Sequence, residues 1–425
     1  MNAEERSQLL YEVQQTNNCS HPIRLRGEMV NLATGEVGER ILRVACKDRR
    51  HVVCPSCSYL YKADAWILVS SGLVGGKGTP DLVGTHPRLF VTLTAPSFGS
   101  VHTIGKRGGC VARSRTESQL ASCPHGQPTF CRLHHGEKDA LLGRPLCAEC
   151  FDYEGAVLWN AHASRLWNNT IQVIRRSLAE AGGVTQSSLK HVAQLHYLKV
   201  AEVQRRGLVH LHAVVRADGP GTIESPPPEW LTTKVLASVI RESVRRSTAP
   251  RLDGLSLHWG KVLDVRDLGL SEGDARKVAA YVAKYSTKTT DGSKEFARRF
   301  RVRRQIENVV DDPHYRRLAL TTWDLAERPA FEPLHLRDHA HAFGFTGQLI
   351  TKSREYSTTF AALRGARATY MAERRVVDPV EGTFRYEGRG YDDPRAVELA
   401  EVFFTMEREL REEAAAARMA AKEAP

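Results

Sequence analysis

Two histidines separated by one residue are the feature of this sequence best suited to hold a metal ion. His210 and His212 lie in an apolar, β-branched stretch, and alternate residues of a strand point to the same face. Both imidazoles therefore project together, although such a triplet also occurs by chance on polar strands. A short link with a glycine predicts a hairpin whose other strand offers Glu202 as a third ligand, with Gln204 as the second choice. This donor set suits Mg²⁺ or Mn²⁺ as readily as Zn²⁺.

Two tyrosines four residues apart could supply a nucleophile. On a helix, Tyr281 and Tyr285 lie on one face, and Lys284 and Lys288 form a similarly spaced pair beside them. A phenol with its usual pKa of about 10 needs a nearby cation or metal to react as the phenolate, and the lysines supply that charge. The competing interpretation is that both aromatic rings belong to the core.

All nine cysteines precede residue 151, and their clustering favours metal ligation over disulfides. Two C-x-x-C pairs predict two structural zinc sites. The predicted ligands are, for the first site, Cys19, Cys46, Cys54 and Cys57, and for the second, Cys123, Cys131, Cys147 and Cys150. Nearby histidines compete for the second site, and Cys110 is left spare.

The surrounding sequence predicts a mixed α+β fold that positions these residues. We expect a strand over 88–96, a long amphipathic helix over 153–181, and two strands over 196–204 and 209–216. A helix over about 229–246, a strand over 255–265 and a helix capped by Asp274 follow. This order resembles the split βαβ plan.

Three motifs, in this order, resemble the signatures of the HUH endonucleases, the superfamily of rolling-circle initiators, relaxases and certain transposases. They are Phe90-Val91-Thr92-Leu93-Thr94, His210-Leu211-His212 and Tyr281-x-x-Lys284-Tyr285. The wider context, over roughly residues 19–370, is similar to replication initiators (Rep) of actinobacterial plasmids and integrative elements. The resemblance implies an antiparallel-sheet HUH nuclease core of the ferredoxin-like or RRM-like type.

The resemblance also implies a plasmid replication initiator that nicks one strand of single-stranded or hairpin origin DNA. His210, His212 and Glu202 would hold the catalytic Mg²⁺ or Mn²⁺, and Tyr281 or Tyr285 would attack the scissile phosphate. The products would be a 5′-phosphotyrosine link and a 3′-hydroxyl that primes a host polymerase. A host helicase is expected as a further partner, because no Walker A loop is found in the chain.

Basic side chains predicted to contact DNA occupy the hairpin turn, the tyrosine helix and a later basic run. They are Arg205, Arg206, Lys288, Arg298, Arg299 and Arg301. In the basic run, interleaved phenylalanines could pack or stack on bases, and a solvated helix face is the competing interpretation. The predicted regions are an N-terminal zinc-binding module (1–87), the nuclease core (88–292) with a zinc-binding insertion at about 99–151, and a basic C-terminal region with a terminal helix (293–425).

The composition agrees with a polyanion as partner. The 425-residue chain has a formal net charge of +11 at pH 7 and a pI of about 9.3, although many basic proteins bind no DNA. No apolar run approaches the roughly 18 residues of a membrane span, and the N-terminus lacks a signal-peptide pattern. We expect a cytoplasmic protein without membrane contacts. Rival functions are a relaxase or transposase with the same motifs, or a non-catalytic zinc-containing DNA-binding regulator.

Overall fold

The structure, a computed structural model, describes residues 3–32, 34–105, 109–110, 122–269, 272–287, 294–373 and 380–423. Its strands are β1 Ile23–Asn31, β2 Val37–Val44, β3 Arg88–Leu93, β4 Gln194–Val203, β5 Val209–Asp218, β6 Thr248–Pro250, β7 Ser256–His258, β8 Leu263–Asp267, β9 Ile350–Lys352 and β10 Val380–Arg389. Its α-helices are α1 Ala3–Gln15, α2 Pro55–Val74, α3 Tyr153–Ala181, α4 Thr233–Arg246, α5 Glu272–Tyr285, α6 Arg303–Val309, α7 Pro313–Leu325, α8 Phe360–Glu373 and α9 Arg395–Glu423. None of these helices is both long and apolar enough to span a membrane.

The chain forms two compact units, and the first joins its two ends. This unit consists of residues 1–65 and 359–425, and the second unit consists of residues 66–358. In the first unit, β1 pairs antiparallel with both β2 and β10. Helix α1 packs on α9 through a small apolar cluster formed by Leu9, Val13, Ala396 and Ala400. The units therefore divide the chain differently from the three predicted regions.

The second unit is built on a five-stranded antiparallel sheet in the order β8-β3-β5-β4-β9. The predicted mixture of helices and antiparallel sheet is confirmed. The strand predicted over 255–265 is instead two strands, because Gly260 lies against the backbone of Ala95 and donates to the Thr94 carbonyl at 2.7 Å. The helix predicted to be capped by Asp274 already begins at Glu272.

Strand β5 separates the core of this unit from the candidate site. Its residues Leu211, Ala213 and Val215 belong to the core together with the buried side of α3. Helix α3 has the predicted bounds, since Asp152 caps its start by accepting from the Gly155 amide at 2.8 Å. The alternating residues of β5, beginning with His210, face the other side of the sheet.

Candidate functional site

The hairpin of β4 and β5 brings the two histidines together with Glu202. Glu202 lies directly opposite His210 in the strand register, and Nε2 of His212 lies 3.4 Å from Oε2 of Glu202. One ligand atom from each of the three side chains lies within 4.8 Å of the other two. The local register of a single hairpin is therefore sufficient to assemble this donor set.

Neighbouring side chains hold the far edge of each imidazole. The hydroxyl of Thr92, on β3, lies 3.1 Å from Nδ1 of His212, and the amide nitrogen of Gln204 lies 3.0 Å from Nδ1 of His210. The ring of Phe90 stacks on His212 with an interplanar angle of 2° and a centroid distance of 5.8 Å. Gln204, the second choice as a metal ligand, thus contacts Nδ1 of His210 from outside the donor set. Glu202 belongs to the donor set together with both imidazoles.

The environment of His210 suits a metal ligand. Burial, together with the charges of His212 and Arg206, lowers the pKa of His210 to about 3, so the imidazole is neutral near neutral pH. Its buried Nε2 has no hydrogen-bond partner among the described residues. A buried polar atom without a partner is costly unless it has another function. Together with a carboxylate and a second imidazole, this atom fits a divalent cation.

Helix α5 places both tyrosines beside His212. The ring centroids of Tyr281 and Tyr285 lie 5.3 and 5.5 Å from that of His212, and 4.8 Å from each other. Tyr281 is 40% exposed, whereas Tyr285 is half-buried. Burial raises the pKa of Tyr285, and a hydrogen bond with Tyr281 and the charge of Glu202 add to this effect. Lys284 is exposed.

The predicted DNA contacts fall into three classes. The guanidinium of Arg205 donates to the carbonyls of Glu137 and Asp139, and that of Arg206 donates to the carbonyls of Ala95 and Pro96. Arg205 is nevertheless exposed, as are the side chains of Arg298, Arg299 and Arg301. The phenylalanines of the basic run are core residues, with Phe296 and Phe300 only 2% and 8% exposed, so they do not stack on bases. Lys288 lies outside the described residues.

The first predicted thiol group is assembled in the first unit. Single sulfur atoms of the four cysteines, which are Cys19, Cys46, Cys54 and Cys57, lie within 4.8 Å of one another. The Sγ atoms of Cys19 and Cys54 are 3.7 Å apart, close to the ~3.8 Å edge of a zinc tetrahedron with Zn–S bonds of ~2.3 Å. Hydrogen bonds from Cys19 and Cys46 lower the pKa of the Cys54 thiol. This group fits a structural zinc ion.

The second predicted zinc site differs from the group found in the structure in one of its four ligands. The first insertion group consists of Cys123, His125, Cys147 and Cys150. A tight turn, in which the Gly126 amide donates to the Cys123 carbonyl at 2.9 Å, carries His125 back to Nδ1–Sγ distances of 3.7 and 3.3 Å from Cys147 and Cys150. Burial opposes ionisation of Cys123, yet amide donors lower the pKa of its thiol to about 7.

Cys131, predicted to belong with Cys123, Cys147 and Cys150, lies in a separate group. The second insertion group consists of His102, Cys110, Cys131 and His135. Cys110, predicted to be spare, therefore has three neighbouring donors. The cysteines and histidines of the two insertion groups lie between residues 102 and 150, and only the folded loops determine which of them come together.

Comparison with known proteins identifies the family. The family described as RepSA, "Replication initiator protein, pSAM2", matches residues 5–404 of the chain. The chain belongs to this family. It is also 35% identical over 386 residues to a curated "Replication initiator protein" of Streptomyces ambofaciens, covering 85% of this chain and 79% of that protein. No solved structure matches the chain.

Proposed function

We propose that this member of the RepSA family initiates replication by cutting one strand of origin DNA through a tyrosine, with a divalent metal ion at the hairpin. The observation that carries the proposal is a juxtaposition on one face of the sheet. The donor set of Glu202, His210 and His212 lies directly beside the rings of Tyr281 and Tyr285. Family membership favours a replication initiator over a relaxase or a transposase.

The contact with Thr92 supports metal binding through Nε2 of His212. A ligating Nε2 requires that Nδ1 carries the ring proton. The hydroxyl of Thr92 accepts that proton from His212. The amide oxygen of Gln204 accepts from Nε of Arg206 at 3.1 Å and its amide nitrogen faces Nδ1 of His210, so ligation by Nε2 of His210 requires the Gln204 amide to turn over. A bound Mg²⁺ or Mn²⁺ ion would polarise the scissile phosphate. The same contacts fix the rotation of both rings before DNA binds.

The tyrosines then supply the nucleophile. The phenol oxygen of Tyr281 attacks phosphorus, the bond to the 3′-oxygen breaks, the phenol proton passes to solvent, and the 3′-oxygen takes up a proton. One phosphodiester replaces another, so later strand closure needs no ATP. We assign the first attack to Tyr281 because it is more exposed than Tyr285, whose raised pKa keeps its proton in place. The exposed Lys284 on the same helix can offset phosphate charge.

The test is covalent capture of DNA by the full chain. Single-stranded DNA carrying the chain's own origin, incubated with Mn²⁺, is expected to be cut and to leave a protein adduct that survives denaturation. His212→Ala and the double variant Tyr281→Phe/Tyr285→Phe should abolish both signals, whereas Tyr11→Phe, at an exposed tyrosine of the first unit, should retain them. Absence of cleavage and adduct across screened metals and origin segments would refute the proposal.

The released 3′-hydroxyl would prime a host polymerase, and a host helicase would separate the strands ahead of it. Hairpin origin DNA is the alternative substrate form, because its loop also exposes a single strand. Comparing cleavage of the same origin sequence as a linear single strand, a hairpin and a full duplex distinguishes these forms. We expect cleavage of the first two and none of the duplex.

A further inference from the structure

The second insertion group has the dimensions of a closed zinc site. Nδ1 of His102 lies 3.2 Å from Nε2 of His135, and Sγ of Cys131 lies 3.6 Å from the same nitrogen. Zinc with Zn–N bonds of ~2.0–2.1 Å and Zn–S bonds of ~2.3 Å has tetrahedral N–N and N–S edges of about 3.4 and 3.6 Å. Four protein donors fill such a tetrahedron, which is typical of a structural site rather than a catalytic one.

A carboxylate fixes the ligand atom of His135. Its Nδ1 donates to Oδ2 of Asp139 at 2.6 Å, so the lone pair lies on Nε2, which faces the other three donors. Zinc-binding histidines usually have such an acceptor on the second ring nitrogen. The side chain of His135 is buried, and its Nε2 atom faces the other donors of the group. Donor chemistry, spacing and orientation therefore agree on the same ion.

We propose that the second insertion group holds its own zinc ion, separate from the first insertion group, and that this ion fixes the turn of the candidate catalytic hairpin. The zinc site does not depend on the proposed nicking activity, whereas its role at the hairpin rests on that proposal. The insertion would thus carry two zinc ions and act as a metal-stabilised brace.

One connection to the hairpin runs through the backbone of His102. Its amide donates to the Arg144 carbonyl and its carbonyl accepts from the Gly143 amide, both at 2.9 Å. Gly143 has a φ of +82°, and a Cβ there would lie 2.5 Å from the carbonyl carbon of Arg205, so only glycine permits this approach. The guanidinium of Arg144 also donates to the Arg205 carbonyl at 2.8 Å.

The other connection runs through Asp139. While its carboxylate holds His135, its backbone carbonyl accepts from the guanidinium of Arg205 at 3.3 Å, and the Glu137 carbonyl accepts from the same group at 2.7 Å. Arg205 lies in the turn between β4 and β5, three residues beyond Glu202. The second insertion group is therefore connected to Arg205 from two sides, through His102 and through Asp139.

Zinc content of the full chain tests the separate site. Cys131→Ser and Cys150→Ser are each expected to bind one zinc fewer than the wild type, and the double variant two fewer. A single site ligated by Cys123, Cys131, Cys147 and Cys150 would instead give a loss of one in the double variant. His102→Ala should also lose one zinc. Retention of all zinc by His102→Ala, or a loss of one in the double variant, would overturn the proposal.

A variant that keeps all four ligands guards against misfolding. Asp139→Asn removes only the carboxylate behind His135, and loss of such an outer contact typically weakens metal affinity by about 10–100-fold. Competition with a chromogenic chelator should therefore release one zinc from Asp139→Asn at a lower chelator concentration than from the wild type. Identical release curves would contradict a zinc ion on His135.

Manganese binding tests the link to the hairpin. Arg205→Ala is expected to keep its zinc content. Its affinity for Mn²⁺ at the hairpin, measured by electron paramagnetic resonance, should be about tenfold weaker than that of the wild type. Arg205→Lys should recover part of that affinity, and Arg337→Ala, at an exposed ion pair with Glu327, should not change it. Unchanged Mn²⁺ affinity in Arg205→Ala would refute the brace. A wild type that binds no Mn²⁺ would refute the proposed function and leave the zinc count as a separate test.

Discussion

Asn160 of helix α3 holds the hairpin turn through hydrogen bonds, and its removal should lower the free energy of unfolding. The side chain is fully buried. Its Nδ2 donates to the carbonyls of Gly207 and Phe343 at 2.8 and 3.0 Å, and its Oδ1 accepts from the Val209 amide at 3.0 Å. Val209 directly precedes the candidate metal ligand His210, so these bonds fix the position of the start of β5 on the helix.

Asn160→Ala removes three buried hydrogen bonds at once. Each is worth about 1 kcal/mol net, and a buried partner left unsatisfied costs about 1–3 kcal/mol, so we expect a loss of about 3–5 kcal/mol in the free energy of unfolding. All six tryptophans lie between residues 66 and 358, so tryptophan fluorescence during urea unfolding at fixed zinc concentration reports on the second unit.

The matched control is Asn169→Ala on the same helix. Among the described residues, the side chain of the half-buried Asn169 makes one hydrogen bond, to the Thr248 carbonyl at 3.1 Å. We expect this substitution to cost about 0.5 kcal/mol. If the two variants differ by less than about 1 kcal/mol, the buried network does not hold the turn as described.

Two further predictions use the same urea assay. Asp218→Asn leaves the fully buried Arg216 without its bidentate partner and should cost about 3–5 kcal/mol, whereas Asp253→Asn, at a partly exposed arginine pair, should cost less than about 1 kcal/mol. Equal losses in the free energy of unfolding for the two variants would contradict the burial of the Arg216–Asp218 pair. Burial lowers the pKa of His314 to about 4, below the ~6.5 of the unfolded chain, so stability present above pH 6.5 should fall by up to about 3 kcal/mol as the pH drops to 4. His314→Gln should remove most of that drop between pH 7 and 4.5; an unchanged drop would assign it to other groups.

The parts of the site that depend on local geometry could be predicted from the sequence. The register of one short hairpin places Glu202 opposite His210, and helical spacing places Tyr281 and Tyr285 on one face. Helix α3 was predicted with its observed bounds because a regular apolar period ends at Gly182. That α5 lies over the histidines was available only from the resemblance, since the packing of a helix on a sheet is a long-range property.

The parts that depend on distant or crowded partners could not be predicted. The pairing of β10 with β1 joins strands about 350 residues apart, and neither strand has a pattern that identifies its partner. In the insertion, sequence spacing could not separate His125 from Cys131, because both lie within reach of Cys147. The break at Gly260 depends on its close approach to Ala95 across the fold.

The measurement that tests the central claim most directly is identification of the DNA-linked peptide after cleavage of origin DNA. Trypsin should separate the two candidate nucleophiles, because Tyr281 lies in the peptide 278–284 and Tyr285 in the peptide 285–288. We predict that mass spectrometry finds a nucleotide bonded to the 278–284 peptide after the first cut. A bond to the 285–288 peptide would reverse the assigned order of the two tyrosines. A bond to any other peptide, or none in a preparation that cuts DNA, would contradict the proposed mechanism.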